Sequence, residues 1–272
     1  MNFTIDGVRI ACDVAGSGPV SVVFVHGFPL TREMWRPTVS RLARRARCIA
    51  PDLRGHGRSA ASDAVTITRF ADDLAELLDA LGEPGPVVVC GLSMGGIIAF
   101  EFFRRHRARV AALALCDTRA NAESPEGVAR REALAAAVLR EGSQAAASAM
   151  IGTALAPTAS ATLRDEVFAM MASNSRVGVA AAARALATRP DSFPTLPQID
   201  VPTLVVVGAE DAITPVDGLV DIQRRIRGAR LVVIPGAGHV PPMEQPEAFA
   251  QALDEFLDGL AGPATGGPVA RG

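Results

Sequence analysis

No lysine and no tyrosine occur among the 272 residues, so all 27 basic side chains are arginines. A Schiff-base lysine and a catalytic tyrosine are thereby excluded. Aromatic residues make up only 4%, and the formal net charge is −2 with no basic stripe, which argues against a nucleic-acid partner. The four cysteines, Cys12, Cys48, Cys90 and Cys116, lie far apart without C-x-x-C spacing. They read as small buried hydrophobes, not as a disulfide or metal framework. No apolar run reaches the ~20 residues of a membrane span. The opening "MNFTIDGVRIACDV" alternates like a strand and carries no basic leader, so a cytoplasmic address away from membranes is expected.

What is present is an ordinary globular composition, 49% hydrophobic and 21% charged, long enough for one large α/β domain with an insertion. Phe3 to Ile5 and Val8 to Val14 flank Asp6-Gly7 as the strands of a hairpin. Apolar runs at Val20 to His26, Val87 to Cys90 and Thr203 to Gly208 read as buried strands, and Cys48 to Pro51, Val110 to Asp117 and Arg230 to Ile234 as further strands. Helices are predicted over Met34 to Arg45, Thr68 to Leu81, from Ile97 onward, Val216 to Arg227 and Pro246 to Leu260. Such alternation implies a mostly parallel sheet covered on both faces, with the loops after the strands gathered along one edge.

The pattern changes after Thr118. From Ala120 to Arg189 the chain is Ala-rich and helical, starting at Ser124-Pro125-Glu126 and first stopping at Gly142. Further helices fall at Ala145 to Leu155, Ala161 to Ser173 and Val177 to Thr188. The expected organisation is a core over 1–118, a helical cap or lid over 119–196, core again over 197–261, and a disordered Gly/Pro-rich tail over 262–272.

The chemistry centres on "VVVCGLSMGGIIAF", a G-x-S-x-G in strand–turn–helix context with Ser93 at its middle. A serine needs a base, and four histidines compete for the role. His106 in "RRHRAR" reads as a solvated surface residue, His56 as a turn residue at the cleft margin, and His26 as a brace for its loop. His239 follows the last strand, at the sheet edge where Ser93 also stands, and is the preferred base. Chain order allows either Asp117 or Asp211 as the orienting acid, and Asp211, one strand before His239, is the first choice. The backbone N–H groups of Met94 and Phe28 are the expected oxyanion donors, because Pro29 has none to give.

These segments resemble the α/β-hydrolase fold family. The resemblance runs through "VVFVHGFPL", "PDLRGHGRS", "GLSMGG", "VPTLVVVGAED" and "IPGAGHVPPMEQPEAF", in that order. It implies an eight-stranded sheet with one antiparallel strand near the start and an all-helical cap after the sixth strand. It also implies Ser93 as nucleophile, Asp211 as acid and His239 as base, with no metal or organic cofactor. A serine at the elbow is unlike the epoxide hydrolases and haloalkane dehalogenases of the family, which place aspartate there. The chain is similar to small esterases and enol-lactonases, and to cofactor-free haloperoxidases and perhydrolases. The expected partner is a small ester or lactone in a mainly apolar pocket lined by Phe28, Trp35, Met94, Val240, Met150, Leu155, Phe168, Met170 and Met171. The alternatives are perhydrolysis, C–C cleavage or lyase chemistry on the same triad, or a ligand-binding protein without catalysis.

Overall fold

The computed structural model describes residues 1–83 and 85–261, so the expected tail over 262–272 lies outside the described residues. The hairpin forms as the Asp6-Gly7 turn requires, with both residues at positive φ, and pairs β1 (Asn2–Ile5) with β2 (Val8–Ala15). The remaining strands are β3 (Val20–Val25), β4 (Ala46–Pro51), β5 (Val87–Leu92), β6 (Val110–Cys116), β7 (Thr203–Gly208) and β8 (Arg230–Ile234). They join in one sheet of order β1-β2-β4-β3-β5-β6-β7-β8. Only β2 runs against its neighbours.

Successive strand residues point to opposite faces, and the core divides accordingly. Val23, Val89, Leu113 and Val205 pack with Phe70 and Leu74 of α2 (Ile67–Ala80), with α3 (Met94–Arg105) and with Leu219 of the helix after β7. Phe24, Val88, Ala114 and Leu204 pack instead with Leu42 of α1 (Arg36–Leu42) and with Phe249 and Leu253 of the last helix. The predicted helix over Met34 to Arg45 is broken in two: a 3-10 turn at Arg32–Trp35 precedes α1, because Pro37 lacks the N–H a continuous helix would need.

Four helices lie between β6 and β7: α4 (Pro125–Glu141), α5 (Gln144–Ala154), α6 (Ala161–Ala172) and α7 (Arg176–Ala187). Ser124, Ser160 and Ser175 cap three of them, each side chain accepting an N–H of the first turn. Two of the contacts that anchor the insertion on the core lie beside the loops after β3 and β4. Buried Asn174 accepts from Gly57 N–H at 2.6 Å and donates to the Pro29 carbonyl at 2.6 Å. Gly55 and Gly178 touch backbone to backbone, since a Cβ on Gly178 would lie 2.1 Å from the Gly55 oxygen. After β7 come α8 (Val216–Arg225), β8, a short α9 (Pro241–Glu244) and α10 (Pro246–Ala261). Among the described residues, no helix is long and apolar enough to cross a membrane.

Candidate active site

Ser93 sits between β5 and α3 with φ 55 and ψ −112, a conformation an L-residue adopts only under strain. The strain is held by its neighbours: Ser93 N–H donates to the Cys116 carbonyl at 2.9 Å, and Thr118 Oγ1 donates to the Ser93 carbonyl at 2.7 Å. The flanking glycines serve close approach. A Cβ on Gly91 would lie 2.3 Å from the Gly95 oxygen, and one on Gly95 would lie 2.1 Å from the Val25 oxygen. The positive φ belongs to the serine itself.

This turn aims Ser93 Oγ at His239 Nε2, 2.8 Å away, while His239 Nδ1 lies 2.8 Å from Asp211 Oδ2. The histidine loop is fixed from several sides. His239 N–H donates to the Ala154 carbonyl at the end of α5, and the Glu244 carboxylate accepts from Gly238, Val240 and Ala156 N–H groups. Asp211 opens an Asx turn, its Oδ1 accepting from Ile213 N–H at 2.8 Å and Thr214 N–H at 2.9 Å. The Thr214 hydroxyl donates to its Oδ2. Burial pushes the Asp211 carboxyl up, but the bond to His239, its charge and the Thr214 donors together hold it below the usual carboxylate range.

Asp117, the second candidate acid, lies behind this row. It is fully buried at φ 43, and its Oδ1 accepts from Gly208 N–H at 2.8 Å. Its Oδ2 has no partner among the described residues. Burial and then the negative charge of Asp211 push its carboxyl well above the ordinary range. Asp117, Asp211 and His239 offer ligand atoms within 4.8 Å of one another. Because the acceptors of Asp211 are already taken by N–H and O–H donors, the trio is a hydrogen-bonded cluster rather than an open cation site.

Residues 20–246 match the family model described as alpha/beta hydrolase fold. The chain belongs to this family. The likeness to solved structures includes a thermophilic esterase from Thermogutta terrifontis, determined with malate bound, at 42% identity and TM-score 0.93 over 96% of this chain and 98% of that one. An enol-lactonase from Burkholderia xenovorans LB400 is 28% identical with TM-score 0.87, over 95% and 100%. A putative 2-succinyl-6-hydroxy-2,4-cyclohexadiene-1-carboxylate synthase from Bacillus subtilis is 30% identical, covering 96% of this chain and 99% of its own. Esterase and lactonase relatives of this kind support ester hydrolysis in general terms.

In this α/β-hydrolase the space beside Ser93 is a narrow cavity of about 30 Å³, lined among others by Phe28, Met94, Met150 and His239. It adjoins a wider one of about 840 Å³ between α4 and α5, where Phe168 takes part. Arg119, Arg131, Met150 and Ile213 line both. Four of the expected pocket residues are packed in the core instead: Trp35 against Phe24 and Phe249, and Val240, Leu155 and Met171 in the same cluster. Met170 lines neither cavity. Neither Phe28 nor Met94 N–H has an acceptor among the described residues.

The other histidines lie elsewhere. His26 braces its loop, with Nδ1 donating to the Gly27 carbonyl and Nε2 accepting from Leu53 N–H, both at 2.9 Å. His56 is fully buried against it, not at a cleft margin, with ring centroids 5.1 Å apart. His106, expected in solvent, is half-buried with Nε2 2.8 Å from Asp72 on α2. Thr214, Glu244 and Asn174 were missed in the sequence. The D-x-x-T spacing of Asp211 and Thr214 was the available signal for the first, whereas Asn174 reaches Gly57 and Pro29 far along the chain and Glu244 joins its own loop to distant Ala156.

Proposed function

We propose that this protein is a serine hydrolase that cleaves a carboxylic ester or lactone through an acyl-enzyme. The observation that carries this is the unbroken row from Ser93 Oγ through His239 to Asp211, each step 2.8 Å. Ser93 Oγ attacks the carbonyl as His239 Nε2 takes its proton, and Asp211 stabilises the imidazolium at Nδ1. The developing oxyanion is met by the N–H groups of Phe28 and Met94, the latter at the N-terminus of α3. His239 then protonates the leaving alcohol and activates the water that releases the acid. The helical insertion serves as the lid, since Arg131, Met150 and Leu186 from it close over the inner cavity.

Replacing Ser93 by Ala should lower hydrolysis of p-nitrophenyl acetate or butyrate by roughly 10⁴- to 10⁶-fold. Near-wild-type turnover would overturn the proposal. A second reading, elimination on the same three side chains without an acyl-enzyme, draws on the similarity to the Bacillus subtilis synthase. In that case a fluorophosphonate would still label Ser93, but no burst of alcohol release would precede steady state.

A further inference from the structure

Three guanidinium groups, those of Arg119, Arg131 and Arg189, line the narrow cavity that also holds Ser93 and His239. They arrive from three parts of the chain: the loop after β6, helix α4, and the segment after α7. Acidic compensation is scarce. Glu123 accepts from Arg189 Nη1 at 2.6 Å and from Arg131 Nε at 3.4 Å. The charge of Asp211 is engaged by His239 and the Ile213–Thr214 donors.

What remains is an excess of cation facing the reacting serine. Arg119 has a single hydrogen-bond partner among the described residues, the Ile213 carbonyl, and no carboxylate. The Arg189 side chain is 1% exposed, yet its Nη2 has no partner among the described residues. The Arg131 guanidinium lies 5.6 Å over the Phe28 ring. Burial first, and then mutual repulsion with Arg189, pulls Arg119 and Arg131 below the ordinary arginine range, although both keep their charge. Leaving a buried cation and a buried N–H unpaired is costly, and such a cost is offset where a ligand anion supplies the missing acceptor.

We propose that the substrate is an ester or lactone bearing a free carboxylate, seated on Arg119 and Arg189 with Arg131 beside them. This rests on the ester-hydrolase reading above and names its substrate class. A planar guanidinium pairs with a carboxylate through two parallel N–H···O bonds, which fixes the carbonyl's distance and orientation relative to Ser93. The reaction consumes a half-ester anion and water and releases a dicarboxylate, an alcohol and a proton; a carboxylate-bearing lactone and water give one hydroxy-dicarboxylate and a proton. A neutral ester of the same size leaves Arg119 without a carboxylate and Arg189 Nη2 without an acceptor, and is the poorer substrate.

The test compares methyl hydrogen succinate, glutarate, adipate and pimelate with their dimethyl esters, reading the ratio of kcat/KM for half-ester over diester. At one chain length the wild-type ratio should be roughly 10- to 100-fold. Arg119→Met should bring that ratio down by a similar factor, and Arg119→Lys should restore part of it by charge alone. A ratio at or below one at every length, or a ratio that Arg119→Met leaves unchanged, overturns the proposal. Binding of the four dicarboxylates to Ser93→Ala, followed by calorimetry, separates the two readings. If no ester is hydrolysed, the hydrolase reading fails. Dicarboxylate binding that is lost in Ser93→Ala/Arg119→Met would still establish the anion subsite, and no binding would overturn it.

Discussion

Asp117→Asn separates the roles of the two buried acids in one experiment. Asparagine keeps an Oδ1 that can accept from Gly208 N–H, puts an NH2 group in the place of Oδ2, and tolerates φ 43, which alanine would not. In the folded chain burial and the charge of Asp211 raise the Asp117 carboxyl, whereas in the unfolded chain it titrates at an ordinary carboxylate pKa near ~3.9. The folded state therefore binds more protons, and wild-type stability falls as pH rises, by up to ~1.4 kcal/mol per unit, until the folded pKa is passed. The contribution is fully present below the unfolded pKa. The variant has no such group, so its stability relative to wild type should rise steadily from pH 5 to 7. Urea-unfolding midpoints of the two proteins across that range are the assay. A difference that stays flat with pH refutes the raised carboxyl at Asp117. The same variant should keep ester turnover within about tenfold, because Asp211 orients His239; a loss near ~10⁴-fold would make Asp117 the triad acid instead.

Two further outcomes follow from the buried polar groups. Asn174→Ala leaves Gly57 N–H and the Pro29 carbonyl without their partner, at ~1–3 kcal/mol each, so an unfolding midpoint equivalent to a ~2–5 kcal/mol loss is expected. A loss below ~0.5 kcal/mol would mean that the insertion is held by other contacts. Burial lowers His26 to about 4, and burial with repulsion from His26 lowers His56 to about 3, so both fold neutral. Their contribution is present above ~6.5 and lost as pH falls toward about 4, since the unfolded chain takes up protons first. Each histidine lowers stability by at most ~1.4 kcal/mol per unit as pH falls from 6 to 4.5, while the raised Asp117 carboxyl opposes part of that fall. A melting temperature constant over that interval would contradict this.

The strands were legible because each is a short apolar run bounded by glycine, proline or a charge, and a buried parallel strand needs little else. Ser93, His239 and Asp211 were legible for a related reason. Loops after parallel strands collect at one edge, so chain order alone brings those three side chains into candidate range, and the structure sets them 2.8 Å apart in sequence. Side-chain destinations set by distant helices were not legible. Trp35 was expected to line the pocket, yet Phe249 of α10 and Phe24 hold it in the core on one face of the sheet. His106 looked like part of a solvated charge run until α2 placed Asp72 beside it.

The arginines illustrate why specificity is harder to read from sequence than catalysis. Arg119, Arg131 and Arg189 share no motif, and nothing local in the chain distinguishes them. Their meaning depends on convergence and on a shortage of acid around them, and both are properties of the folded insertion. Catalytic side chains must meet at fixed distances whatever the substrate, so the core carries them at strand ends. The arginines proposed to select the substrate come from the helical insertion and its root, where an Ala-rich sequence gives the backbone its form and a few charged positions set the polarity of the cavity. A change at Arg119 should accordingly alter which ester is chosen, whereas a change at Ser93 should abolish the choice altogether.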